Sequence, residues 1–211
     1  MKVVSKFSVL GVLALTLAFG DVAPATAAGG NNAPPRPSVN QMSELNKLLM
    51  EQTIESNGKG LLDGTMPYRM TAAATLYEHV RDLDGAEVPV MDAFMKMFEA
   101  MRAEQRSFEK DSLITYGGHV LLDSGRKNAA LGAVAFAHAE KIADHQNSYV
   151  RWVAAYTLQD LGQHYKELGT RAVARLNAMA AVEKDAQNRL SITNFLNQFN
   201  SEPQPQSSPA P

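Results

Sequence analysis

Between residues 38 and 202 the chain contains only two prolines, Pro67 and Pro89, and each stands at the head of an apolar run with helical period. Inside a helix, proline removes a backbone hydrogen bond and clashes with the preceding turn; in the first turn its missing N–H costs nothing. A long stretch with proline confined to two such places can be helical throughout. Apolar residues at helical spacing give expected helices over about 39–56, 66–83, 89–107, 128–143, 148–165, 170–184 and 187–199. Ser38 with Gln41 forms a capping box for the first, and Met42, Leu45, Leu48 and Leu49 fall on one of its faces. Residues 57–64, NGKGLLDG, read as the loop that ends it, Asp84-Gly85 as a stop for the second, and Gly125 and Gly169 as further C-terminal stops.

Proline returns at both ends. Residues 29–38, GGNNAPPRPS, and 201–211, SEPQPQSSPAP, hold almost nothing that can be buried, so burial cannot offset the entropy of ordering them. They are expected to be a disordered linker and a disordered Pro-rich tail around a helical domain spanning 39–200. Residues 1–28 read as an export signal: Lys2 and Lys6, the apolar run Phe7 to Phe19, then Ala25-Thr26-Ala27-Ala28 as the cleavage site. The apolar run is too short to span a bilayer, and Gly20, Asp21 and Pro24 break it, so the mature chain is expected to be periplasmic or secreted, with no stable membrane insertion. The chain has no cysteine, so neither disulfides nor thiolate metal sites support it, and stability rests on a buried apolar core drawn from its 45% apolar residues. The net charge of −2 becomes slightly more negative once the leader is removed, which disfavours sequence-independent binding of nucleic acid or anionic lipid.

One segment is written twice. Arg69, Ala72, Ala73, Thr75 and Leu76 recur in the same order as Arg151, Ala154, Ala155, Thr157 and Leu158. A fainter copy lies between them, with Gly117-Gly118 in place of the alanines and Val120, Leu121 and Asp123 following. Paired small residues let a neighbouring helix approach closely, and the leucine beyond them lies on the same face and fills the interface. One such pair cannot bury its own apolar face, so pairs stack. The segment Val150-Arg151, Ala154, Leu158 and Leu161-Gly162 resembles the first helix of a HEAT repeat, with Thr157 replacing an alanine and Ile114 standing at the arginine position of the middle copy. The resemblance covers roughly residues 65–199. It implies an all-α fold, a short α-solenoid of about three HEAT-like helix pairs preceded by one helix, with the second helices lining a concave face. Residues 112–123, SLITYGGHVLLD, also fit a β-hairpin turning at Gly-Gly. Helix is preferred, since an isolated two-stranded hairpin is marginal, and the hairpin stays open.

No catalytic or cofactor motif assembles. HExxH, GxSxG and the phosphate loop are absent, and the SxxK matches at Ser107–Lys110 and Ser124–Lys127 lack the elements that accompany that motif in acyl-transfer enzymes. His79, His119, His138, His145 and His164 are scattered, without the His-Glu dipeptides by which some HEAT-like enzymes hold iron. The expected function is therefore a non-catalytic scaffold, without a cofactor, for a protein or peptide partner. His138, Arg171, Arg175 and Asn177 on second helices are the candidate contacts. One alternative is soft-metal binding: thioethers suit Cu(I), and Met91, Met95, Met97 and Met101 cluster in one helix, with Met95 furthest from its buried stripe. An enzyme of a type that carries none of these motifs is the other.

Overall fold

A computed structural model describes residues 39–101 and 107–201. The expected signal (1–28), the linker (29–38), the capping box and nearly all of the Pro-rich tail lie outside the described residues. Within them the fold is all-α: α1 Val39–Asp63, α2 Met66–Asp82, α3 Glu87–Ala100, α4 Phe108–Arg126, α5 Ala129–Ile142, α6 Ser148–His164, α7 Lys166–Val182 and α8 Ala186–Ser201. No described helix is long and apolar enough to cross a membrane.

Local chemistry sets the helix starts. The side-chain oxygens of Ser107, Asn128 and Asn147 accept from the first free N–H groups of α4, α5 and α6, and Asp185 does the same for Asn188 at α8. Each satisfies a donor that the helix itself cannot. Pro67 opens α2 and Pro89 lies in the first turn of α3. Gly85, at φ +86°, makes the turn between these two helices, a conformation that a side chain would strain.

Packing follows chain order. Substantial contacts join each helix to the next and, except between α5 and α7, to the next but one, so α2, α4, α6 and α8 lie side by side, and α1 packs on α3 and α3 on α5. Ion pairs from α7 to Glu140 of α5 and to Asp144 just beyond it extend the second row. One apolar core runs through these helices, from Ile54 and Leu61 through Phe94, Phe98 and Phe136 to Leu176 and Ile192.

The small residues of the three copies are all buried: Ala72-Ala73, Gly117-Gly118 and Ala154-Ala155. A Cβ built on Gly60 of α1 would meet Ala72, and one on Gly117 would meet Phe94 and Phe98 of α3, so both small positions face the preceding helix. Gly118 instead faces Val153 of α6, the next helix in its own row. This explains why SLITYGGHVLLD is helical rather than a hairpin: the propensity cost of two glycines, about 1 kcal/mol each, is offset by the burial their small size permits on two sides.

Four boundaries depart from the sequence reading. The expected loop 57–64 is helical as far as Asp63, because Ile54 and Leu61 are buried and Gly60 lets α1 close against Tyr68 and Ala72 of α2. Gly125 and Gly169 do not end helices. Gly125 lies within α4 and packs against Ala135 and Leu161, and Gly169 sits in the first turn of α7 near the Gly162 carbonyl. The third helix stops at Ala100 rather than 107, where Ser107 is already extended as the cap of α4.

Candidate functional site

Of the four polar contact candidates, three are bonded within the fold. In α7, Arg171 pairs with Glu140 of α5 and lies 5.2 Å over the Phe136 ring, and Arg175 donates to Asp144 at 2.6 Å. These pairs fasten the second row together. Asn177 Nδ2 donates to the Val173 carbonyl of its own helix. His138 is buried in α5, its Nε2 3.3 Å from an Asp92 oxygen of α3 but with neither ring nitrogen in an aligned hydrogen bond. Arg171, its side chain 58% exposed, and Asn177 stay open to solvent, whereas Arg175 is half-buried.

The methionines are packing residues in this fold. Met91 and Met97 are fully buried, Met101 is half-buried against the core, and Met95 is buried too, although the helical spacing put it furthest from the apolar stripe. The core reaches further round α3 than that stripe because α1, α4 and α5 all pack on it. Among the described residues no group of three or more His, Asp and Glu side chains is placed to hold a metal ion.

The arginine that heads each strong copy has a shared task. Arg69 Nε donates to the Leu61 carbonyl at the end of α1, and Arg151 Nη1 donates to the carbonyls of His145 and Gln146 just after α5. Each ties its helix to the one before. Arg151 also clasps the Glu183 carboxylate beyond α7, whose side chain is 1% exposed. That hydrogen bond holds the Glu183 carboxyl below the ordinary value of 4.5 against the opposing effect of burial. Lys127 bridges the Val80 carbonyl and Glu87, and Arg126 pairs with Asp160 across from α4 to α6. Burial pushes the Glu87 carboxyl up, but Lys127 and backbone N–H donors outweigh it.

His145 is a clip of another kind. Its Nδ1 accepts from the Asn147 N–H, so Nε2 carries the proton and donates to the Phe98 carbonyl at 2.9 Å, at the end of α3. Burial lowers the basicity of His79, His138 and His145 below the ordinary 6.5. A group whose folded-state pKa is depressed contributes stability present above its unfolded value and lost as pH falls through the folded one. The three histidines therefore destabilise the fold as pH drops below about 6.5, and Glu87 and Glu183 add a second loss below about 4.5. Melting at about pH 7.5 and about pH 5.5 should show a lower Tm at the acid value, with a further drop toward about pH 4; a flat profile would contradict this assignment.

An aromatic row along the first-helix side is partly open to solvent. Tyr77 of α2 lies 6.0 Å from Tyr116 and 5.9 Å from His119 of α4, and its hydroxyl donates to Asp123 at 2.8 Å. With Ser112 and Thr115 these residues line an open groove of about 400 Å³. The Thr115 hydroxyl meets the Tyr149 hydroxyl of α6 at 3.0 Å. Tyr149, Trp152 and Tyr156 then stack with centroids 5.6 Å apart and ring planes within 10° of parallel, and Phe195 of α8 closes the row 6.0 Å from Tyr156. These rings are half-buried, and His119 is exposed.

The sequence held part of this signal. Residues 149, 152 and 156 have helical spacing, so one face of α6 is legibly aromatic. Tyr77 and Tyr116 stand at different offsets from their small-residue pairs, Tyr77 beyond Ala73 and Tyr116 before Gly117, so aligning the copies could not reveal that the rings meet. Compared with known proteins, the chain matches no family model and no curated relative.

Proposed function

We propose that the protein is an exported, non-catalytic scaffold of HEAT-like helix pairs, a short α-solenoid, that holds a protein or peptide partner against its aromatic row. The neighbour-and-next-neighbour packing and the matching burial of the small residues in α2, α4 and α6 support the repeat reading. The observation that carries the function is the row itself, half-exposed rings contributed by four helices of one layer. Tyr and Trp offer large contact area with few rotatable bonds, and their polar edges tolerate water when the site is empty, which is why they concentrate in recognition surfaces. In the other layer Arg171 and Arg175 are committed to clips with Glu140 and Asp144, which leaves those two guanidiniums less free to bind.

A photoreactive phenylalanine analogue placed at Tyr116 or Trp152 tests the reading, with Arg189, exposed on α8, as the control position. In envelope extract, a discrete cross-linked species is expected from the first two positions and not from the third. The same species from all three, or none from any, would remove the assignment.

A further inference from the structure

The aromatic row reaches the last helix, and the residues that follow that helix are rich in proline. α8 ends at Ser201, and the next ten residues read EPQPQSSPAP, with Pro203, Pro205, Pro209 and Pro211. Such a composition favours the polyproline II conformation, which carries no internal hydrogen bonds and leaves every carbonyl free to accept. Aromatic-lined grooves recognise it by seating proline rings on ring faces and by donating to those carbonyls, at low entropic cost because the peptide is already extended.

The directions of α6 and α8 bring the two together. Phe195 meets Tyr156 and Gln198 meets Gln159, so α8 runs alongside α6 in the same sense, and Phe199 lies next to Gly162 near the end of α6. The chain thus leaves α8 at the far end of the helix that carries the stacked rings. From Phe195 the ring-to-ring steps are 6.0 Å to Tyr156, 5.6 Å to Trp152 and 5.6 Å to Tyr149. Ten residues in polyproline II span about 31 Å at about 3.1 Å each, enough to double back and cover all four rings.

We propose that residues 202–211 fold back in polyproline II along Phe195, Tyr156, Trp152 and Tyr149, so that the row is a site for proline-rich extended peptide and this chain's own tail is its occupant. The proposal rests on the reading of the row as an interaction surface and names its ligand class.

Trp152 is the only tryptophan in the chain and sits in the middle of the row, so its emission reports occupancy directly. The full chain is compared with a full-length variant in which Pro203, Pro205, Pro209 and Pro211 are each replaced by Gly. The variant should emit further to the red and be quenched more readily by acrylamide. A synthetic EPQPQSSPAP peptide should reverse both changes, and the same peptide with Gly for Pro should reverse neither. Equal emission and quenching in the two proteins, or reversal by the Gly peptide, would overturn the proposal. So would Trp152 protection that appears only as protein concentration rises, because the tail of a second copy would then be the occupant. Retained cross-linking at Trp152 alongside equal quenching overturns the tail proposal alone, whereas lost cross-linking alongside a normal tail effect overturns only the partner reading.

Discussion

Arg151→Met should destabilise the fold by about 3–5 kcal/mol at neutral pH, measured by urea denaturation, the range for stripping a buried charge of its partner. The Glu183 side chain is 1% exposed and Arg151 is 19% exposed, so neither is well solvated in the folded state. Without the guanidinium, the carboxylate keeps only local help from the Asp185 N–H and the Asn188 side chain, and burial then drives it toward the protonated form. Arg151 also releases the carbonyls of His145 and Gln146, unpinning the turn between α5 and α6. Two further measurements isolate the charge. In the intact protein the depressed Glu183 pKa contributes stability present above about 4.5 and lost as pH falls, so the gap between wild type and variant should narrow below that value. Arg151→Met combined with Glu183→Leu should recover much of the loss, since no unpaired charge remains buried. A penalty that persists unchanged in acid and in the double variant would show that packing, not charge, is what Arg151 supplies. Arg69→Met, which removes a hydrogen bond to the Leu61 carbonyl and leaves no buried carboxylate unpaired, should cost less, about 1.5–3 kcal/mol.

Residue types and spacings announced the helical class, the approximate helix positions and the buried small-residue pairs, because those features depend on periodicity and on local rules for proline and caps. What the sequence could not announce depended on three-dimensional neighbours. The stretch 57–64, expected as a loop, is helical to Asp63, because at Gly60 the missing side chain is what lets α1 lie against Tyr68 and Ala72. Arg171 and Arg175 stand one turn apart as candidate contacts, yet their partners Glu140, in α5, and Asp144, just beyond its end, have the same four-residue spacing, a match that matters only once α5 and α7 are known to be neighbours. The aromatic row is the sharpest case. Three of its rings are periodic within α6, but Tyr77, Tyr116 and Phe195 join them only through the side-by-side packing of α2, α4, α6 and α8.

Replacing Gly162 by Ala should cost about 1–3 kcal/mol, while the same exchange at Gly58 should stabilise by up to about 1 kcal/mol, and thermal or urea melts of the two variants test both signs. Both glycines lie inside helices, so intrinsic propensity favours Ala equally at each. Their surroundings decide the difference. A Cβ on Gly162 would lie 2.4 Å from the Cβ of Ala172 in α7 and 3.1 Å from the Phe199 ring. A Cβ cannot rotate away, so α6 and α7 would have to separate, and with them the close approach that the Leu161-Gly162 step provides. On Gly58 the nearest atom is the Ala93 Cβ at 3.5 Å, an ordinary contact. Overpacking therefore outweighs propensity at one site and is absent at the other. Were Gly162→Ala neutral, α6 and α7 would not be packed through their backbones, and the reading of paired small residues as the points where neighbouring helices nest would lose its strongest support at the C-terminal end of the stack. Stabilisation at Gly58 with destabilisation at Gly162 would instead show that contact distance, rather than helix propensity, decides where this chain tolerates a methyl group.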